Sequence, residues 1–105
     1  MSGGRKLGIL LATPEEHANT ETVLALVRAC RARGDEALVY LVDDGVRNLL
    51  REDVAALGAE SGVRLYCCAH GAQTRGVPRG GPALFCGLYT LHSLVGACDR
   101  FLAFT

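Results

Sequence analysis

The adjacent pair Cys67-Cys68 is the most chemically informative feature of this 105-residue chain, whose five cysteines are Cys30, Cys67, Cys68, Cys86 and Cys98. The pair closes the apolar run Val63-Arg64-Leu65-Tyr66-Cys67-Cys68. Successive strand residues point to opposite faces, so one thiol can pack inward while the other reaches the strand's open end. Cys68 stands just before Ala69-His70-Gly71. A helical turn starting there offers free N–H groups that favour a thiolate, and His70 and Arg75 are close enough in sequence to add positive charge. The plainer alternative is that both cysteines are small buried hydrophobes. A disulfide between the two is disfavoured, because adjacent residues close only a strained ring.

Cys86, in Leu84-Phe85-Cys86-Gly87-Leu88, is either a second thiol near Cys68, acting as its resolving partner, or a core residue under a Gly-rich loop. Cys30 and Cys98 fall on apolar helical stripes and read as packing residues. An odd cysteine count and apolar settings speak against a disulfide scaffold. No C-x-x-C and no Cys/His cluster at zinc spacing supports a metal site. His17 reads as solvent-exposed, and His92, beside an apolar stripe, as a partly buried histidine rather than a catalyst. Asp43-Asp44 stands where dinucleotide-binding folds keep a ribose-binding acid, but Leu11 to Thr22 contains no glycine. The pair therefore reads as a solvated cap on the following helix, and no cofactor is expected. The loop GVPRGGP, Gly76 to Pro82, lacks a Walker lysine-serine pattern and reads as a mobile lid as readily as an anion cradle.

The elements that must position these groups alternate along the chain. Lys6 to Ala12, Glu36 to Val42, Val63 to Cys68 and Arg100 to Phe104 are apolar runs of strand length, as expected where both faces of a sheet are covered. Thr13-Pro14-Glu15-Glu16 has capping-box form, and the periodicity of Val23, Val27 and Cys30 predicts a helix from about Thr20 to Arg33, stopped by Gly34. Val46 to Leu57 suggests a helix broken near Arg51 to Asp53, and Ala69 to Arg75 a short one. Leu84, Leu88, Leu91, Val95 and Cys98 recur at helical spacing and predict a last helix up to Asp99.

Such alternation predicts a single α/β domain over residues 1–105, a three-layer sandwich with a mainly parallel sheet. The simplest doubly wound order is 2-1-3-4, which places a crevice at the carboxyl ends of strands one and three, with Cys68 in it. Half the residues are apolar and 21% are charged, the balance of a folded protein. The 11 Lys and Arg cancel the 11 Asp and Glu, which counts against a nucleic-acid groove or an anionic membrane surface. No apolar run approaches a membrane span, and Leu7 to Ala12 is too short for a signal peptide, so the chain reads as cytoplasmic.

Asp44-Gly45-Val46, Gly62-Val63-Arg64-Leu65-Tyr66-Cys67-Cys68, Thr74-Arg75-Gly76-Val77 and Ala97-Cys98-Asp99-Arg100-Phe101 together resemble the DsrE/DsrF-like (TusD-like) sulfur-relay proteins. In that family a strand ends in cysteine, an Arg-Gly-Val follows a short helix, and a final helix ends in Cys-Asp-Arg before the last strand. By its distance to Arg75-Gly76, Cys68 matches the family's persulfide-carrying cysteine; Cys67 has no certain counterpart. The loop between Val77 and Ala83 is shorter than in the longer members. The resemblance implies a sulfur carrier or persulfide transferase (an enzyme of the sulfurtransferase class, if it is one) working with a sulfur-donor or sulfur-acceptor protein. It also implies a homo-oligomer, trimer or hexamer. Val77, Leu84, Phe85, Leu88 and Tyr89 form the apolar cluster expected at such an interface. Two other readings compete: a non-catalytic oligomeric binding subunit, and a thiol redox sensor in which Cys68 and Cys86 form a reversible disulfide.

Overall fold

A computed structural model describes residues 4–105. Five strands form one all-parallel sheet: β1 (Lys6–Leu11), β2 (Glu36–Leu41), β3 (Val63–Cys68), β4 (Leu84–Cys86) and β5 (Arg100–Phe104), in the order β4-β3-β2-β1-β5. Four helices accompany them: α1 (Ala18–Ala32), the single turn α2 (Glu52–Ala55), α3 (Ala69–Thr74) and α4 (Leu88–Ala97). A 3₁₀ stretch over Asp43–Leu50 precedes α2, and a 3₁₀ turn over Ala56–Ala59 follows it.

The α/β class and the parallel sheet are those the sequence predicts; the strand order is not. The order 2-1-3-4 assumes that the chain reverses direction after its second strand. Crossovers between parallel strands are right-handed, so the face on which a connection lies sets the direction in which the sheet grows. The buried residues of α1, the 3₁₀ stretch, α2 and α3 all join one core with Ile9, Val39, Leu41, Leu65 and Cys67. The chain therefore advances from β1 through β2 and β3 to β4 without reversing. Only α4 crosses the opposite face, and it carries the chain back to the free side of β1. The connections leaving β3 and β4, through α3 and α4, diverge to opposite faces beside Cys68 and Cys86, whereas the strand order itself reverses between β1 and β5. There the Ala12 N–H donates to the Phe104 carbonyl at 2.9 Å.

Register sorts the side chains into two faces. Leu11, Leu41, Cys67 and Phe85 form one row, with Phe104 at its far end. This row lies on the face covered by α1 and its companions. Leu10, Tyr40, Tyr66 and Leu84 form a row on the opposite face. α4 seats itself on that second face at Gly8, where a Cβ would stand 2.7 Å from both Cys98 Sγ and the Phe101 ring. A side chain at Gly8 would push the helix off the sheet.

Several local expectations are corrected. α1 begins at Ala18 with His17 as its N-cap: His17 Nδ1 accepts the Asn19 N–H at 3.0 Å. Thr13-Pro14-Glu15-Glu16 is not the helix start. Glu15 instead holds Arg47 through two hydrogen bonds of 3.0 Å, and the Arg47 guanidinium keeps the Glu15 carboxyl below its ordinary range. The broken helix after Val46 does break at Arg51, whose backbone is extended. Leu84 belongs to β4 rather than to the last helix, which starts only at Leu88. The periodic spacing of Leu84 with Leu88 and Leu91 is thus coincidental across a strand and a helix. His92 is exposed rather than partly buried.

Candidate functional site

Cys68 ends β3 and serves as the N-cap of α3. Its Sγ accepts the Gly71 N–H at 3.4 Å. Gly71 is buried, and a Cβ there would stand 3.2 Å from Val46 and 3.6 Å from Cys68 Sγ. The first turn of α3 is therefore wedged between the 3₁₀ stretch after β2 and the thiol. Cys68 itself is half-buried, and its neighbour Cys67 is fully buried on the opposite face. Burial above all, then the nearby Cys68 and Cys86 sulfurs, pushes the Cys67 thiol up to about 12. The two adjacent cysteines thus divide into a packed thiol and a strand-end thiol.

Cys86 lies beside Cys68. The two are register partners on adjacent parallel strands, so their side chains share one face. Cys86 Sγ lies 3.9 Å from the Cys67 carbonyl and 3.7 Å from the Leu84 carbonyl, donating weakly to each. This contact required β4, the strand that the helical spacing had concealed.

Tyr40 completes the cluster. It is fully buried, stacks with Tyr66 at 6.4 Å between ring centres, and donates its hydroxyl to the Gly87 carbonyl at 2.9 Å. That bond ties the middle of the sheet to the corner between β4 and α4. Burial first, and then the neighbouring Cys86 and Cys68 sulfurs, push the Tyr40 phenol upward. Nothing in the spacing of the chain singled out Tyr40. The signal present was a lone aromatic in the otherwise aliphatic run ALVYL, Ala37 to Leu41.

The charged residues expected around Cys68 behave differently from one another. His70 is exposed. Arg75 does not stand free beside the thiol: its Nε donates to Asp44 Oδ1 at 2.9 Å, and its Nη1 to the Gly71 carbonyl at 3.4 Å. Asp43-Asp44 is correspondingly not a helix cap; Val42 holds that position without a side-chain bond, and Asp43 takes a positive φ of 53°. Arg79 of the Gly-rich loop lies over the Phe85 ring at 5.6 Å. Cys30 is buried on α1, and Cys98 packs against Gly8.

Behind the site, a buried polar knot fixes the loop after β1. Asn48 Nδ2 donates to the Thr13 and Gly45 carbonyls at 2.9 Å each, and its Oδ1 accepts from Thr20 Oγ1 at 2.6 Å. Gly45 has no room for a side chain, since a Cβ there would collide with the Leu11 carbonyl oxygen.

Two clefts, of about 320 and 390 Å³, open toward the amino ends of the strands, around Lys6 and Arg100 and around Val63 and Pro82. Neither reaches Cys68. The surface around the thiols is instead apolar: Leu84 is 53% exposed, Leu88 66% and Tyr89 82%. Val77 and Phe85, expected in the same exposed cluster, are buried and half-buried. No helix among the described residues is long and apolar enough to cross a membrane.

Fold and site together define a small parallel α/β protein with a strand-end thiol capping the helix that follows it. The chain belongs to the DsrE/DsrF-like family, whose model matches residues 5–104. Members of that family generally work in sulfur relay. Among solved structures, the chain is similar to the crystal structure of the YchN protein from E. coli. The TM-score is 0.79 and the identity 18%, over 96% of this chain and 99% of that one. At that identity the likeness is one of fold. No curated protein matches the chain in sequence.

Proposed function

We propose that the protein is a sulfur carrier that holds sulfane sulfur as a persulfide on Cys68 and hands it to an acceptor thiol. The observation that carries this reading is the Gly71 N–H donated to Cys68 Sγ at the carboxyl end of β3. That donor gives negative charge on the sulfur a fixed partner during attack and departure. In loading, Cys68 sulfur attacks the outer sulfur of a donor persulfide. The donor's S–S bond breaks, a new S–S bond forms on Cys68, and the donor leaves as a thiolate that takes up a proton. In unloading, an acceptor thiolate attacks the outer sulfur and Cys68 departs as the thiolate. No cofactor takes part.

The reading treats residues 1–105 as one domain of this family, working in the cytoplasm with a donor or acceptor protein and not with nucleic acid or membrane. Its homo-oligomeric part, a trimer or hexamer, is supported by the exposed Leu84, Leu88 and Tyr89 beside the thiols. His70, Arg75, Cys67 and Cys86 are its supporting residues, Arg75 through its hold on α3. Mass spectrometry after exposure to polysulfide tests it. The expected product carries about 32 Da on Cys68, one sulfur atom, and loss of that adduct in Cys68→Ser. An unmodified Cys68 in the wild-type protein would refute the reading.

A further inference from the structure

Cys86 is the one other partly open thiol on the face to which Cys68 belongs, among the described residues of β3 and β4. Neighbouring strands in a sheet lie about 4.8 Å apart, and register partners are separated by about that distance. Disulfides span Cα separations of roughly 4.4–6.8 Å. Cys68 and Cys86 therefore meet the backbone requirement for a bond between them without any rearrangement of the sheet. Cys67 does not compete, because it is fully buried on the other face. Cys86 is the last residue of a three-residue edge strand, which the Tyr40–Gly87 hydrogen bond holds just beyond it. Its carbonyl acceptors lie at 3.9 and 3.7 Å, and the buried Tyr40 hydroxyl stands beside the same sulfur.

We propose that Cys86 is a resolving thiol that discharges the Cys68 persulfide as sulfide when no acceptor arrives. The inference rests on the carrier reading of Cys68. Cys86 thiolate attacks the inner sulfur, Cys68 Sγ. The bond between Cys68 and the carried sulfur breaks, a Cys68–Cys86 bond forms, and hydrosulfide leaves and takes up a proton. The sulfane sulfur is reduced to sulfide while the two cysteine thiols are oxidised to a disulfide, so no outside oxidant enters. A small-molecule or protein dithiol then reduces the disulfide and restores both thiols. Acceptors attack the outer sulfur and Cys86 the inner one, so the two routes compete for one intermediate and give different products. An intramolecular thiol acts at an effective concentration of about millimolar or more, which sets a lifetime on the loaded protein.

The test compares wild type with Cys86→Ser. Both are loaded with cysteine persulfide, freed of excess reagent, and held without an acceptor. Wild type is expected to pass from about 32 Da above the reduced mass to about 2 Da below it, releasing one sulfide per chain. Peptide mapping is expected to find Cys68 joined to Cys86. The Cys86→Ser protein is expected to keep its added sulfur at least about tenfold longer. Loading on Cys68 followed by equal decay in both proteins would overturn the resolving role and leave the carrier reading standing. Failure of Cys68 to load in either protein would overturn both.

Discussion

Arg75 spends its charge on Asp44: the Nε–Oδ1 distance is 2.9 Å, and the bridge joins the carboxyl end of α3 to the turn after β2. The arginine that follows the strand-end cysteine thus acts on the thiol through the placement of α3. Removing Asp44 would release that charge beside the first turn of the helix. Asp44→Ala is expected to raise the rate of Cys68 alkylation at pH 7 and low salt by about two- to threefold. The same change should move folding stability by less than about 1 kcal/mol, because the pair is partly exposed. A slower alkylation rate would contradict this electrostatic arrangement.

Among the five thiols, Cys68 is expected to be alkylated first by iodoacetamide at neutral pH, and Cys67 last. Cys67 is fully buried and stays protonated to about pH 12, whereas Cys68 is half-buried with an amide N–H aimed at its sulfur. Time-resolved peptide mapping checks the order. Early labelling of Cys30 or Cys67 would count against it.

Much of this arrangement was legible in the residues, and the exceptions have physical causes. Apolar runs of six or seven residues marked β1, β2 and β3, and the position of Cys68 at a strand end followed from the last of them. β4 was hidden because three residues are too few to show alternation, and because Leu84 stands four residues before Leu88. Losing β4 also lost the pairing of Cys68 with Cys86, which no spacing of 18 residues could reveal. Strand order escaped because it depends on which face each connection covers, and the connection after β2 is a chain of short 3₁₀ and α turns without a readable face. Arg75 was expected to lend its charge to Cys68, but it is held by Asp44, a partner 31 positions away in sequence.

Asn48→Ala is expected to cost about 2–4 kcal/mol. It would remove the donor to the Thr13 and Gly45 carbonyls and the short 2.6 Å bond of the Thr20 hydroxyl, leaving that hydroxyl only the Pro14 carbonyl at 3.4 Å, in a fully buried place. Urea unfolding would show a lower midpoint with an unchanged slope. A midpoint equal to that of wild type would mean that the knot carries no stability.

Light scattering coupled to gel filtration at micromolar concentration is expected to find a trimer or hexamer, not a species at the 11.1 kDa chain mass. Replacing Leu88 and Tyr89, 66% and 82% exposed, by Asp and Glu is expected to release monomers that keep the wild-type circular dichroism. A monomeric wild type would remove the oligomeric part of the proposed function.

Alkali should weaken the fold in a defined window. Cys67 and Tyr40 both hold their protons to higher pH when folded than their ordinary values of 9.0 and 10.0 allow. Above about pH 9 the unfolded chain therefore binds fewer protons than the native one, and stability falls as pH rises toward 12. Each such group contributes a slope of up to about 1.4 kcal/mol per pH unit. Urea midpoints measured from pH 8 to 11 are expected to decline, and Cys67→Ala should flatten the decline. An identical slope in the variant would show that the buried thiol is not its source.

The seating of β5 against β1 has a consequence for how the protein comes into being. Asp99 Oδ2 accepts the Lys6 N–H, and the Asp99 N–H reaches the Lys6 carbonyl at 2.9 Å, a contact across 93 positions. As the chain emerges from the ribosome, β1 to β4 leave the exit tunnel before β5 does. Until residues 100–104 arrive, one whole side of β1 is an unsatisfied strand edge. Such edges invite pairing with neighbouring chains. Pairings this distant in sequence also form slowly. The nascent protein therefore passes through its most aggregation-prone stage just before the fifth strand emerges and pairs with β1, and shielding by the ribosome or a chaperone matters most at that moment.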